Sequence, residues 1–130
     1  MSSEQRLLSE AWEHLRTTKK LSVTKHNNHC TYAGSGCAFS PAILPGCRTD
    51  PSLGYKNAGE IILRYKGLLF PWAVGLDLGV ANEVQACHDD CENTEGEPFL
   101  RELAENLRDV ACRNGLTLPD TMLPYLEDKT

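Results

Sequence analysis

What the chain lacks narrows its possibilities first. No run of 18 or more apolar residues occurs, and the longest apolar stretch, residues 67–80, is interrupted by Pro71 and Asp77, too short to cross a bilayer. The opening Met1-Ser2-Ser3-Glu4-Gln5-Arg6 has no basic stretch leading into an apolar core and a small-residue cleavage site, so it does not read as a secretory signal. Phosphate-cradling signatures are missing: neither Gly-x-Gly-x-x-Gly nor Gly-Lys-Ser/Thr occurs. The Gly-x-Ser-x-Gly elbow of serine hydrolases is also absent. Lys19, Lys20 and Lys25 are too few to form the clustered basic patch of a nucleic-acid binder. With no internal repeat, low-complexity tract or long linker, residues 1–130 are expected to form one compact cytoplasmic domain, with 1–2 and 127–130 as disordered ends.

A chain of 130 residues can bury roughly two thirds of its unfolded surface, so it needs neither disulfides nor a metal to fold. Its six cysteines, Cys30, Cys37, Cys47, Cys87, Cys91 and Cys112, are therefore read as reduced thiols or metal ligands in a reducing compartment. Charge is uneven. Residues 1–66 carry nine Lys/Arg against five Asp/Glu, a balance of +4, whereas residues 67–130 carry four against thirteen, a balance of −9. Such a split steers encounters with partners of opposite charge.

Periodicity predicts a helix over residues 3–18, with Leu8, Ala11, Trp12 and Leu15 on one stripe and Ser2 with Gln5 at capping-box spacing. Trp12 is expected as a core anchor. Cys30-Thr31-Tyr32 and Cys37-Ala38-Phe39, flanking the glycine-containing loop 33–36, predict a short hairpin. Prolines and glycines break regular structure from 40 to 57. A short helix is expected through Glu60, Ile61, Leu63 and Arg64. Trp72, Val74, Leu76 and Leu78 are expected to be buried. Val80, Val84, Cys87 and Cys91 mark a further helix. The acidic loop 92–97 precedes a helix begun at Pro98 and striped with Leu100, Leu103, Leu107, Val110 and Ala111. Gly115 suits its left-handed cap. Asp120 is placed to cap a final short helix through Tyr125 and Leu126. The fold class that follows is α+β, mainly α: helices packed around one short β-hairpin.

Two clusters could carry chemistry. His26, His29, Cys30 and Cys37 offer nitrogen and thiolate ligands of the kind zinc prefers, although their spacing matches neither C-x2-4-C nor H-x3-5-H half-sites. The bland alternative is exposed histidines and small buried thiols. In Cys87-His88-Asp89-Asp90-Cys91, the two cysteines stack one turn apart and could share a metal or simply continue an apolar stripe. The His-Asp pair lacks the further His and Asp that a metal-dependent phosphohydrolase needs. Its expected role is local hydrogen bonding at a helix end.

The succession Cys30-x-Tyr32, Cys37-Ala38, Leu44-Pro45, His88-Asp89, Phe99-x3-Leu103-x3-Leu107 and Gly115-Leu116-x-Leu118-Pro119 resembles a diffuse group of small bacterial and phage proteins. Members of that group tend to combine a Cys-x-Tyr…Cys-Ala hairpin with a His-Asp helix and a closing helix. The resemblance spans residues 30–119. This chain departs from it at Phe39-Ser40, where a glycine-containing turn is expected. The group carries no established activity, so the resemblance bears on the fold.

Small size, acidity gathered in the second half and the missing catalytic set lead to a non-enzymatic protein–protein interaction module. Its sharper form is a phage- or mobile-element-encoded inhibitor of a host nucleic-acid-handling defence complex, of the anti-CRISPR type. It would dock on a host protein without direct nucleic-acid or membrane contact and would need no cofactor. Asp90, Glu92, Glu95 and Glu97 are the partner-binding candidates. The alternatives are a zinc- or thiol-dependent regulatory protein using His26, His29, Cys30 and Cys37, and a small enzyme whose reaction no motif names.

Overall fold

The structure is a computed structural model that describes residues 2–18, 38–53, 56–93 and 95–126. The expected first helix forms as α1 (Ser3–Thr18). The Gln5 N–H donates to Ser2 Oγ at 3.0 Å, which satisfies one of the donors a helix start leaves open. The Gln5 side chain, expected to bond back to the cap, is used elsewhere. Its Oε1 accepts from the Thr117 N–H at 2.7 Å and its Nε2 donates to the Thr117 carbonyl at 2.8 Å. The apolar stripe of α1 is fully buried, and Trp12 anchors it as expected. The Trp12 Nε1–H donates to Thr121 Oγ1 at 2.9 Å, and Tyr125 packs edge-on at 5.5 Å between ring centroids. An indole buried this way needs such a partner for its one polar atom.

After residue 38 the chain winds through short 3-10 turns at Ser40–Ala42, Pro45–Cys47 and Pro51–Leu53. The Arg48 Nε–H donates to the carbonyls of Ser40 (2.9 Å) and Ile43 (3.2 Å) and tacks these turns together. Helix α2 (Ala58–Arg64) follows, as the short helix expected around Glu60–Arg64. Helix α3 (Leu78–Asp89) starts on Asp77, whose side chain accepts from the Val80 N–H at 3.0 Å. Helix α4 (Gly96–Asn114) closes on Gly115 at φ +67°, and the Leu116 N–H reaches back to the Ala111 carbonyl at 2.9 Å. A 3-10 segment, Asp120–Tyr125, then crosses α4 and returns to α1.

Helix α3 lies between α2 and α4, and α1 packs across α3 and α4. Leu7, Leu15, Ile61, Val84, Phe99, Leu103, Leu107 and Met122 meet in one apolar core. Each large apolar side chain hidden this way contributes about 1.5–3 kcal/mol before conformational entropy is subtracted.

The α2–α3 contact is also polar. The first three N–H groups of α2 each receive a side-chain oxygen: Ala58 from Gln85 (2.7 Å), Gly59 from Asn82 (2.8 Å) and Glu60 from Asn57 (2.8 Å). A Cβ at residue 59 would lie 2.7 Å from Asn82 Nδ2, so the glycine leaves room for the Asn82 amide to reach its N–H.

Four expectations are corrected here. The α+β class gives way to a helical domain, since no β-strand exists among the described residues. Residues 30–37 of the expected hairpin lie outside them. Ala38 and Phe39, the end of its second strand, form a turn into the 3-10 helix begun by Ser40-Pro41, and both are buried core side chains. Extended pairing is instead seen as an isolated antiparallel bridge between Ile43 and Leu69. Second, the alternating Trp72, Val74, Leu76 and Leu78 do not share a buried face. A 3-10 turn at Pro71–Ala73 and the start of α3 rotate Leu78 out to 39% exposure, and only Leu76 of the four is fully covered. Third, α4 begins two residues before Pro98. The proline takes the third helical position, where its missing N–H still costs no intrahelical bond. Asp120 likewise lies one residue inside the final 3-10 segment, with Pro119 at its cap.

Candidate functional site

The sequence-derived acidic residues gather where α3 ends and α4 begins. Asp90 is the cap residue closing α3, Glu92 and Glu95 lie on the connection, and Glu97 falls in the first turn of α4. All four are exposed. The connection is shaped by a carboxylate that sequence reasoning did not single out. Glu102, nearly two turns into α4, accepts from the N–H groups of Glu92 and Asn93 and from Asn93 Nδ2, at 2.9–3.0 Å. Partial burial works against its charge, but these hydrogen bonds outweigh that and hold the carboxyl below the usual glutamate range. Loop backbone is thus pinned on a helix-borne anion while the loop's own carboxylates stay on the outside.

The four candidates are not equivalent. Glu97 is drawn back to Arg101 at 2.8 Å in an i,i+4 pair. Asp90, Glu92 and Glu95 make no ion pair among the described residues. Asp90 also sits at the negative end of α3, where an acidic residue is disfavoured by about 0.3–1 kcal/mol. Neighbouring Asp89 has an answer to the same penalty. A carboxylate can only accept, so the His88 Nδ1–H donates to Asp89 Oδ1 at 2.8 Å. His88 is fully buried with Phe99 edge-on, at 6.2 Å between ring centroids. The His-Asp pair is therefore a local hydrogen bond at the helix end, as the sequence indicated.

The thiols of Cys87 on α3 and of Cys91 just past its end are not poised for chemistry. Burial pushes Cys87 and Cys91 up to about 12, against an ordinary 9.0, and Cys91 Sγ–H donates to the Cys87 carbonyl at 3.1 Å. A nucleophile or a zinc ligand needs the thiolate, which this setting disfavours. Cys47 is half-buried and Cys112 exposed. Among the described residues no group of three or more His, Cys, Asp and Glu side chains is placed to hold a metal ion. His26, His29, Cys30 and Cys37, the zinc ligands of the alternative reading, lie outside the described residues. No helix among the described residues is long and apolar enough to cross a membrane.

Beside the acidic corner, a cleft of about 190 Å³ opens between α3 and α4. Glu83, Asp90 and Asp109 stand on its rim, and Ala86, Cys87 and Val110 supply apolar lining. Sequence spacing could have paired Glu83 with Asp90 on one helix face. The contribution of Asp109 and Asn106 from α4 depends on how the two helices dock.

No protein-family model, curated protein or solved structure matches the chain.

Proposed function

We propose that the protein is a non-enzymatic interaction module that docks a basic surface of another protein through the corner formed by the end of α3, the loop 90–95 and the first turn of α4. The observation that carries this reading is the state of Asp90, Glu92 and Glu95: exposed, without a cation among the described residues, and borne on a loop already pinned by Glu102. A preformed anionic surface adds on-rate and selectivity for a basic partner without an ordering cost at binding. The buried, protonated thiols of Cys87 and Cys91 favour this reading over thiol chemistry. In its sharper form the partner is a host nucleic-acid-handling defence protein, because channels that hold nucleic acid are basic, and the chain is a phage- or mobile-element-encoded inhibitor.

The test is capture of partners from host lysate by the wild-type chain and by a variant with Asp90, Glu92, Glu95 and Glu97 all changed to lysine. The expected result is a partner retained at low salt, released as ionic strength rises and lost in the variant. Equal retention of the same partner by both proteins would refute the acidic corner as the contact.

A further inference from the structure

The cleft beside the acidic corner has a chemistry of its own. It sits between α3 and α4 and shares Asp90 with the corner. Its rim is acceptor-rich. Asn106 spends its Nδ2 on the Cys87 carbonyl at 3.1 Å, and that acceptor fixes the orientation of the amide. The Asn106 Oδ1 is then an acceptor with no donor among the described residues, on the wall of a cleft that also carries three carboxylates.

Two cations already lean on these carboxylates: Arg108 Nε lies 4.0 Å from Asp109 Oδ1, and Arg113 stands over Glu83. Arg113 Nε lies 3.7 Å from Glu83 Oε1, beyond hydrogen-bond reach, and its side chain is 58% exposed. Glu83 also accepts from Asn114 Nδ2 at 3.0 Å. Two loosely held guanidiniums against three carboxylates leave the rim net negative, with Asp90 outside both pairs. Below the rim, the Cys87 thiol is 5% exposed and has no hydrogen-bond partner among the described residues. Cys87 is one of the residues lining the cleft, beside Glu83, Asp90, Asp109 and Arg113.

We infer that the α3–α4 cleft is the seat of one arginine or lysine side chain of the docked protein. Such a side chain has an apolar stem and a cationic head. The cleft offers the matching order of surfaces: Val110 and Cys87 for the stem, then carboxylates and the Asn106 carbonyl for the head. This deepens the acidic-corner reading and rests on it, since the corner supplies the encounter and the cleft the register.

The test uses the full chain labelled with ¹⁵N, titrated at low ionic strength with a hexa-arginine peptide. The readouts are the backbone amides of residues 83–90 and 106–113 and the Asn106 side-chain amide. Saturable shifts at these positions are expected, with affinity falling about fivefold or more in Glu83→Gln/Asp109→Asn. Both substitutions are at the surface, and amide dispersion of the variant reports whether it is folded. Undiminished binding by that variant overturns the inference, as does an uncharged hexa-citrulline peptide that shifts the cleft equally. Shifts confined to residues 92–97 overturn the cleft assignment while supporting the acidic corner. Agmatine binding as tightly as the peptide makes this a small-amine site and overturns the protein-partner assignment. No shift anywhere overturns both readings.

Discussion

The three side-chain oxygens on the start of α2 make a graded experiment. Gln85 is buried, and its Oε1 serves the N–H of Ala58, itself fully buried, at 2.7 Å. Gln85→Leu keeps similar bulk and removes the acceptor, so Ala58 is left with a donor that water does not reach. An orphaned buried donor costs about 1–3 kcal/mol. With an unfolding entropy of about 2.1 cal/mol/K per residue over 130 residues, the melting temperature should fall by about 4–11 °C. The Gly59 N–H is only part-buried and that of Glu60 is exposed, so water can replace part or all of the lost bond there. Asn82→Ala should therefore cost less than Gln85→Leu, and Asn57→Ala about 0.5–1 kcal/mol. Thermal melts by circular dichroism, checked by urea unfolding, would rank the three. If Gln85→Leu fell within about 0.5 kcal/mol of wild type, or Asn57→Ala proved the most damaging, burial would not be what sets the value of these bonds.

Three further outcomes are expected. At pH 8, Cys112 should react with iodoacetamide far faster than Cys87 or Cys91, whose thiols ionise near 12; comparable peptide-level labelling rates by mass spectrometry would contradict the burial of those two thiols. The same shift makes stability depend on pH. The unfolded chain releases these protons near pH 9 and the folded one near 12, so their contribution is whole below pH 9 and declines as pH climbs from 9 towards 12. Cys87→Ala/Cys91→Ala should flatten that decline, and identical alkaline unfolding curves would refute the point. Thr121→Val removes the acceptor of the buried Trp12 indole and should cost about 1–3 kcal/mol. Thermal melts should show the loss, and unchanged stability would count against it.

The parts of the fold legible in the sequence are those whose signals are local. The stripe from Leu100 to Ala111 and the glycine at 115 define most of α4, and Leu8, Ala11, Trp12 and Leu15 define α1, because period and caps act within a few residues. The misread stretches are short apolar runs next to proline. Around Phe39 and from Trp72 to Leu78, alternation looks like a strand, but Pro41 and Pro71 start 3-10 turns that change which side chains face inward. For the acidic corner, sequence supplied the exposed carboxylates but not their hierarchy. Glu97 is neutralised by Arg101 and Glu102 holds the loop, and both facts require knowing where α4 begins. The Gln85 and Asn82 bonds span 27 and 23 residues, and the cleft needs the docking of two helices; no spacing rule reaches either.

The hydrogen bond from Trp12 to Thr121 joins positions 109 apart in the chain. At synthesis rates of about 5–20 residues per second, the tryptophan leaves the ribosome roughly 5–20 s before its acceptor exists. Through that interval α1 carries an indole that cannot reach its final environment, and Gln5 waits as long for Thr117. Nascent chains of this protein would be a natural load for a chaperone until the strap around Met122 arrives, and shortening that wait by circular permutation would be expected to raise soluble yield more than it raises stability.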